Sequence, residues 1–298
     1  GLVSFAEGNA LIGSSGVDLS TANKVMNLVK LPTGTTIQCF REAETSLILE
    51  EIFLREVYPV TAELRPEGRS PLVIDVGANV GVFVHYVLSK WPDAVVHAVE
   101  PAPPTVELLR RNVELLDPKV MVHECCIGGQ SGTASMTFYP GYSIMSRLAG
   151  AEESDESLLR SCVTQEMEKR LPPGRGVSER HLRVAMGDRL EGAMRFDCRV
   201  VDMNEFVATA GISAIDFLKL DAEGSETAIL HALTPDTWGK INAIAMEVHE
   251  YAGQPRALPG LVDLLNTQGF VTRIGEEAGS GESKTVMLYG VRDDRGKT

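Results

Sequence analysis

Residues 71–101, PLVIDVGANVGVFVHYVLSKWPDAVVHAVEP, contain the pattern that decides the fold. The short apolar run at 72–74 predicts a buried strand, and a helix with one apolar face is predicted after the glycine-rich turn at 75–81. A second apolar run, Val95 to Val99, predicts another strand, which ends at Glu100. Strand, glycine-rich turn, helix, strand and terminal acid together indicate a βαβ unit that binds a nucleotide.

The turn after the first strand carries two glycines with Asn79 between them. Gly77 lets the chain leave the strand sharply, and Gly81 lets the helix and a ligand approach closely. Glu100 follows about twenty residues later, where a carboxylate can accept both hydroxyls of a ribose. A dinucleotide-binding turn has a third glycine in the place of Asn79, so a ligand with a ribose and no phosphate is favoured. S-adenosylmethionine is such a ligand, and D-V-G-A-N-V-G resembles motif I of the class I methyltransferases. We therefore expect Gly77, Asn79 and Gly81 to bind this cofactor. The alternative is an α/β crossover that binds nothing.

The composition and charge of the chain exclude several classes of function. The 298 residues carry a formal net charge of -13, with a pI near 5.0, which argues against a nucleic-acid partner. No apolar run approaches the roughly 20 residues of a membrane span, so no membrane partner is expected. The five cysteines are odd in number and lack C-x-x-C spacing, which indicates neither a zinc site nor a disulfide framework. A reducing, cytoplasmic location is therefore expected.

The first 70 residues precede the βαβ unit. The chain begins at Gly1, which suggests a cleaved tag or a piece excised from a longer polypeptide. Residues 1–24 are rich in Gly, Ser and Ala and predict a linker or mobile arm. Residues 25–70 predict a hairpin followed by a helix, because two short apolar runs flank Pro32-Thr33-Gly34 and a helical period follows them.

Residues 71–298 alternate predicted strands and helices. This order predicts an α/β fold with a mostly parallel sheet and a terminal antiparallel strand. The resemblance to the class I methyltransferases implies that this sheet is Rossmann-like and seven-stranded. One strand of this sheet is predicted over 119–127. Residues about 140–195 interrupt the alternation, and an excursion of this length is typical of a lid or binding loop. Within it, the side chains expected to face a substrate are those of Tyr142, Ser143, Met145 and Ser146. The alternative is a disordered surface insertion.

Ligands of open α/β sheets bind outside the carboxyl ends of the strands. The side chains predicted there are mostly acidic: Asp75, Glu100 with Pro101, Cys126, Asp221 with Glu223, and Glu247 with His249. We expect Asp75 and Asp221 to hold the ammonium group of the cofactor directly or through water, although either could instead cap a turn or helix. We expect Glu100 and Pro101 to contact the ribose side, and Cys126 to flank the adenine.

His249 is the best candidate for a general base, because it is predicted at a strand end beside the cofactor. Each of the other five histidines is predicted in a helix, in the middle of a strand or in the excursion. Glu223 could orient His249 and raise its pKa, or contact the acceptor hydroxyl itself. The alternative is a divalent metal ion held by Asp221, Glu223, Glu247 and His249, since hard oxygen ligands suit magnesium or calcium. We favour the base and no metal.

Six segments together resemble the FkbM-type methyltransferase family: LPTGTTI (31–37), ETSLILEEIF (44–53), DVGANVG (75–81), VEP (99–101), DFLKLDAEGSE (216–226) and MEVH (246–249). The resemblance covers about residues 28–291. It implies an S-adenosylmethionine-dependent O-methyltransferase, with S-adenosylhomocysteine as product. The stretch FYPGYSIMS (138–146) further resembles the members embedded in modular polyketide and nonribosomal peptide synthases, although Arg147 stands where a small residue is expected.

Members of that subset methylate a hydroxyl on an acyl chain held by an acyl carrier protein. The resemblance therefore implies an acyl carrier protein and neighbouring synthase domains as partners, and the β-hydroxyl of a carrier-bound acyl thioester as the acceptor. Two alternatives stay open. The same enzyme could act on a free sugar or a finished metabolite, or the fold could serve as a docking module without catalysis.

Overall fold

The computed structural model describes residues 26–116, 120–139, 147–148, 163–164, 167, 176–190, 194–250, 256–280 and 283–293. The strands are β1 (Asn27–Lys30), β2 (Thr36–Cys39), β3 (Leu72–Val76), β4 (Val95–Glu100), β5 (Val120–Glu124), β6 (Cys126–Gly128), β7 (Gly132–Phe138), β8 (Arg147–Leu148), β9 (Met194–Asp202), β10 (Phe217–Leu220), β11 (Ala243–Glu250), β12 (Phe270–Ser280) and β13 (Ser283–Arg292). The helices are α1 (Glu42–Leu49), α2 (Val82–Lys90), α3 (Pro103–Val113), α4 (Glu179–Leu190), α5 (Met203–Thr209), α6 (Glu226–Ala232), α7 (Pro235–Lys240) and α8 (Leu258–Thr267).

The central sheet confirms the predicted α/β fold. Among the described residues it has seven strands in the order β12-β13-β11-β10-β3-β4-β5. The five strands from β11 to β5 are parallel, and β13 runs antiparallel to both β11 and β12. Because these neighbouring strands are parallel, the carboxyl ends of β3, β4, β10 and β11 lie at the same edge of the sheet.

A second, smaller sheet was not expected from the sequence. In the described part of the chain its order is β6-β9-β7-β8, with β6 parallel to β9 and β7 antiparallel to β9 and β8. The single strand predicted over 119–127 is therefore wrong: β5 ends at Glu124, and Cys126 begins β6 in the other sheet. The physical reason is that Cys126 pairs with Val200 in β9 rather than continuing the β4–β5 ladder.

Apolar side chains cover both faces of the central sheet. On β3, Val73 belongs to the cluster that includes Phe83 of α2 and the hairpin β1–β2, while Ile74 belongs to the cluster on the opposite face. Neighbouring residues of a strand point to opposite faces, so a strand buried on both sides reads as a continuous apolar run. The polar side chains Asp75, Glu100 and Lys219 lie towards the carboxyl ends of these strands, where the candidate site lies, and they are buried.

Two further elements flank this core. The helix α1 continues into a π-helical turn at Glu50–Leu54, and the chain then reaches β3 through a 3-10 turn at Ala62–Leu64. In the excursion, Leu182 and Met186 of α4 pack with Tyr139 in a small apolar cluster. Among the residues that can be described, the helices are all too short or too polar to cross a bilayer.

Candidate active site

The glycine-rich turn brings the end of β3 against the end of β10. The backbone N–H groups of Gly77 and Ala78 both donate to the carbonyl of Val99, at 3.0 Å. Gly77 has φ +77°, and a Cβ atom added there would lie 2.3 Å from the carbonyl oxygen of Asp221. Only glycine permits both the left-handed backbone and this close approach.

The second glycine of the turn serves helix packing. Gly81 has φ +93°, and an added Cβ would lie 2.9 Å from Cδ1 of Leu109 in α3. Asn79 also has a positive φ, of 48°, and its side-chain oxygen accepts from the N–H of Val80 at 2.8 Å. These contacts give both residues a structural role, and their contact with a ligand stays a prediction.

Glu100 ends β4 with its carboxylate held in place by the backbone. Oε2 accepts from the N–H of Asn79 at 3.0 Å, and Oε1 accepts from the N–H of Ala102 at 3.1 Å. The side chain is almost fully buried, and burial raises its pKa to about 7. Each carboxylate oxygen has two lone pairs, so both oxygens keep acceptor capacity for the hydroxyls of a ribose. Pro101 follows at the half-buried junction between β4 and α3.

A buried lysine, Lys219, stands between the ends of β3 and β10. Its Nζ lies 3.1 Å from Oδ1 of Asp75, which is fully buried, and 3.5 Å from Oδ2 of Asp221. The structure therefore places Asp75 against a lysine of its own chain. The side chain of Asp221 is 24% exposed, but its Oδ1 is buried and has no hydrogen-bond partner among the described residues. The expected contact of Asp221 with the ammonium group of the cofactor stays a prediction.

His249 lies at the end of β11 among carboxylates. Its Nδ1 is 3.0 Å from Oε1 of Glu226, and its Nε2 is 3.6 Å from Oε2 of Glu223 and 3.8 Å from Oε2 of Glu247. The predicted pair of His249 and Glu223 is therefore brought together, on the Nε2 side of the ring. The imidazole is only 11% exposed, so these carboxylates dominate its surroundings.

Glu226 is a site residue that the sequence did not reveal. It is 3% exposed, and its Oε1 also accepts from the N–H groups of Ala222 and Gly224, both at 3.1 Å. A carboxylate held in this way orients the imidazole ring that it contacts. In the sequence, the only feature that could have indicated this role was that Glu226 lies three residues after Glu223, at the start of a predicted helix. The orienting role that the sequence suggested for Glu223 falls by geometry to Glu226.

The charges in this cluster shift one another's pKa. Burial lowers the pKa of His249, but the carboxylates of Glu223 and Glu226 outweigh it and raise the pKa well above its usual value. Burial and the neighbouring carboxylates raise the pKa of Glu223 to about 8, and burial raises that of Glu247 to about 7. The imidazole therefore carries its proton at neutral pH, and the carboxylates facing Nε2 compete for the same protons.

The segment between α1 and β3 also reaches this site. Tyr58 is buried, and its hydroxyl donates to Oε1 of Glu247. The donor atoms of Asp221, Glu247 and His249 lie within 4.8 Å of one another, a spacing that a divalent metal ion could use. However, one oxygen of Glu247 is already held by Tyr58 and one oxygen of Asp221 faces Lys219. The second oxygen of each carboxylate keeps acceptor capacity, so these contacts leave the metal alternative open.

Three other histidines are held in separate contacts. Nε2 of His85 lies 3.1 Å from the carbonyl of Asn112, and His97 stacks on His123 with 3.0 Å between ring nitrogens. Burial lowers the pKa of His85, and it lowers that of His97 to about 4. Lowered pKa values keep these three rings neutral, and His85 and His97 are buried, in contrast to the charged His249.

Cys126 begins β6, an edge strand of the second sheet in the described part of the chain. It is buried, and its Sγ is 3.4 Å from Sγ of Cys198 in β9. Its contact with an adenine stays a prediction. The residues expected to face the substrate (Tyr142, Ser143, Met145 and Ser146) lie outside the described part of the chain, as does most of the excursion.

Comparisons with known proteins identify the family of the chain. A family model described as the methyltransferase FkbM domain matches residues 75–272. The chain is 30% identical over 247 residues to the 31-O-demethyl-FK506 methyltransferase FkbM of Streptomyces tacrolimicus, covering 83% of this chain and 89% of that protein. It is 30% identical over 279 residues to the AMB antimetabolite synthetase AmbE of Pseudomonas aeruginosa, covering 91% of this chain and 13% of the synthetase. It is 27% identical over 241 residues to the methyltransferase sdnD of Sordaria araneosa, covering 77% of this chain and 84% of that protein. The matched family region contains every residue of the site described above except Tyr58.

Proposed function

The chain belongs to the FkbM family of S-adenosylmethionine-dependent methyltransferases, and we propose that it methylates the β-hydroxyl of an acyl thioester carried by an acyl carrier protein. The assignment of a hydroxyl as the acceptor rests on the surroundings of His249. Its Nδ1 is held by Glu226, and its Nε2 faces the more open carboxylates of Glu223 and Glu247. A positioned base of this kind is what an unactivated hydroxyl requires.

The residues at the strand ends fit the cofactor. Glu100 would accept the ribose hydroxyls, the turn at Gly77 would allow close approach, and Oδ1 of Asp221 would accept from the ammonium group. When bound, S-adenosylmethionine supplies an electrophilic methyl carbon on a positively charged sulfonium. The chain contributes orientation: aligned reactants in model systems gain up to roughly 7–11 kcal/mol relative to free ones.

The base removes the proton of the acceptor hydroxyl. An alkyl hydroxyl is a poor acid, so its proton leaves as the oxygen attacks, and a positioned base adds about 10²- to 10⁴-fold to the rate. In the neutral form of His249, which appears as pH rises through its raised pKa, Nε2 accepts this proton, and the resulting imidazolium is stabilised by Glu223 and Glu226. Glu223, whose side chain is 34% exposed, then passes the proton towards solvent.

A carrier-bound acceptor is supported by the synthetase relative. The chain matches 13% of that synthetase, so a domain similar to this chain occurs within a much longer enzyme. A second candidate, a free metabolite, is favoured by the FkbM relative. Its name gives 31-O-demethyl-FK506 as the molecule it methylates, and 89% of its length is covered.

Parallel assays of one β-hydroxyacyl chain, presented on an acyl carrier protein and as the free acid, separate these candidates. Intact-mass analysis of the carrier is expected to show the gain of one methyl group, with the free acid unchanged. Methylation of the free compound alone would favour the metabolite. If neither form of the substrate is methylated while S-adenosylhomocysteine still binds, then either this acyl chain is not the substrate or the acceptor is not its hydroxyl.

A further inference from the structure

Lys219 is a charged residue in the middle of the central sheet that the proposed proton transfer does not use. It is 2% exposed and lies on β10 directly beside Asp75 of β3 in the parallel ladder. It shares its face of β10 with Phe217, whose side chain belongs to the apolar cluster around Phe83. Burying a lysine at such a position is costly unless its charge and its three N–H donors are satisfied.

The ammonium group of Lys219 is satisfied by the two strand ends that form the cofactor site. Nζ donates to the carbonyl oxygens of Val76 and Gly77, at 3.1 Å and 2.9 Å. It also pairs with Oδ1 of Asp75 at 3.1 Å and approaches Oδ2 of Asp221 at 3.5 Å. These four acceptors belong to β3, the turn that follows it and the residue after β10, so one cation ties the glycine-rich turn to Asp221.

Aromatic rings close the remaining sides of the ammonium group. Nζ lies 5.2 Å from the ring centroid of Tyr58 and 5.9 Å from that of Phe83. Cations are attracted to the faces of such rings when water is excluded. Burial lowers the pKa of Lys219, but Asp75 and Asp221 outweigh it and raise the pKa, so the group stays charged.

We propose that Lys219 is a positioning residue for the amino-acid end of the cofactor. By holding Oδ2 of Asp221 it leaves the orphan Oδ1 of the same carboxylate for the cofactor's ammonium group. By holding the carbonyls of Val76 and Gly77 it keeps the turn in the conformation that brings Gly77 against Asp221. Lys219 itself does not touch the cofactor, since its side chain is enclosed by these groups.

Two ligands separate this role from a general structural one. S-adenosylhomocysteine contains the amino-acid end, whereas 5′-methylthioadenosine has the same adenine and ribose without it. Calorimetry at pH 8, where Glu100 with its pKa of about 7 is ionised, measures both affinities. In Lys219→Met, S-adenosylhomocysteine should bind at least about tenfold more weakly, because charge-assisted contacts of its ammonium group are lost. The affinity for 5′-methylthioadenosine should be unchanged.

The double variant Lys219→Met with Asp75→Asn removes the buried ion pair as a whole. Removing one partner of such a pair leaves an uncompensated charge, while removing both restores neutrality, so the double variant is the one to use if the single one does not fold. It is also expected to bind S-adenosylhomocysteine weakly and 5′-methylthioadenosine normally. The control is Lys240→Met, which changes a lysine paired with the exposed Asp236 in α7 and should alter neither affinity.

Three results would overturn the proposal. The affinity for S-adenosylhomocysteine could be unchanged in both variants. Both ligands could weaken equally, which would indicate a general collapse of the turn. The double variant could regain the wild-type affinity for S-adenosylhomocysteine, which would reduce Lys219 to the counter-charge of Asp75.

Discussion

Oε1 of Glu226 lies 3.0 Å from Nδ1 of His249, and this contact divides the work among the carboxylates around the ring. Glu226 is buried and held by two backbone N–H groups, so it sets the orientation of the imidazole. Glu223 is 3.6 Å from Nε2 and 34% exposed, so it faces the side from which an acceptor hydroxyl would approach. In the proposed mechanism, Nδ1 is therefore held by Glu226, and Nε2 accepts the proton of the hydroxyl.

The variant Glu226→Gln tests this division through the pH dependence of kcat/KM. The base form of His249 appears as pH rises through its raised pKa, so the wild-type rate should rise on the alkaline side of an ordinary histidine. Glutamine keeps an acceptor for Nδ1–H but removes one negative charge, which lowers the pKa of His249. The rising limb should therefore move to lower pH, by about 1 unit or more.

The matched control for this measurement is Glu250→Gln. Glu250 is a buried carboxylate on the same strand, and it accepts from the N–H of Leu258 instead of contacting His249. Its profile should keep the wild-type midpoint. A profile of Glu226→Gln that is unshifted, or shifted to higher pH, would contradict the role given to Glu226.

Glu100→Ala tests the ribose contact. Two charge-assisted hydrogen bonds of about 1.5 kcal/mol each would be lost, so the affinity for S-adenosylhomocysteine should fall about 10²-fold. The control is Glu124→Ala. Glu124 pairs with Glu100 in the ladder between β4 and β5 but lies exposed beside Arg110, so this variant should bind S-adenosylhomocysteine with wild-type affinity. Equal affinities of the two variants in calorimetry would remove Glu100 from the cofactor site.

Gly77→Ala tests the close approach of the two strand ends. Gly77 and Gly211 have similar positive φ angles, +77° and +67°, but only Gly77 has an atom within 3 Å of an added Cβ. Gly211→Ala should cost about 1–2 kcal/mol of unfolding free energy, as left-handed backbone does. Gly77→Ala should cost at least about 2 kcal/mol more, because the carbonyl of Asp221 must move. Urea denaturation compares them, and equal losses would contradict the contact.

The metal dependence of turnover distinguishes two roles of His249. It could act as a general base, or it could bind a divalent metal ion together with Asp221 and Glu247. If His249 is the base, a chelator such as EDTA should leave turnover unchanged, and added magnesium should not stimulate it. The reason is that proton transfer to His249 needs no metal ion. Turnover that a chelator abolishes and magnesium restores would make His249 a ligand and refute the base.

The βαβ unit could be predicted closely because its signals are local. The strand predicted over Val95 to Val99 is observed as Val95–Glu100, and the turn at 75–81 lies where its glycines indicated. The apolar runs, the glycines of the turn and the terminal acid all lie within about 30 consecutive residues, so the sequence pattern alone contains them. The order of strands and helices then predicted the parallel sheet.

The rest of the site depends on contacts between distant parts of the chain. Tyr58 and Glu247 are 189 residues apart, and Lys219 and Gly77 are 142 apart. Neither separation leaves a local pattern, because a tyrosine in a loop or a lysine in an apolar strand can pack against many different partners. The second sheet was missed for the same reason, since Cys126 begins a strand whose partner, β9, follows the long excursion.

The central claim, that His249 takes the proton of the acceptor hydroxyl, is tested most directly by His249→Ala and His249→Gln. Turnover is followed by intact-mass analysis of a β-hydroxyacyl carrier protein, and cofactor affinity by calorimetry with S-adenosylhomocysteine. Both variants should lose about 10²-fold or more in turnover, because the base is gone, yet bind the product with wild-type affinity, because other strand ends hold it. Near-normal turnover of His249→Ala in the presence of a chelator would contradict the claim and make Glu223 the leading candidate for the base.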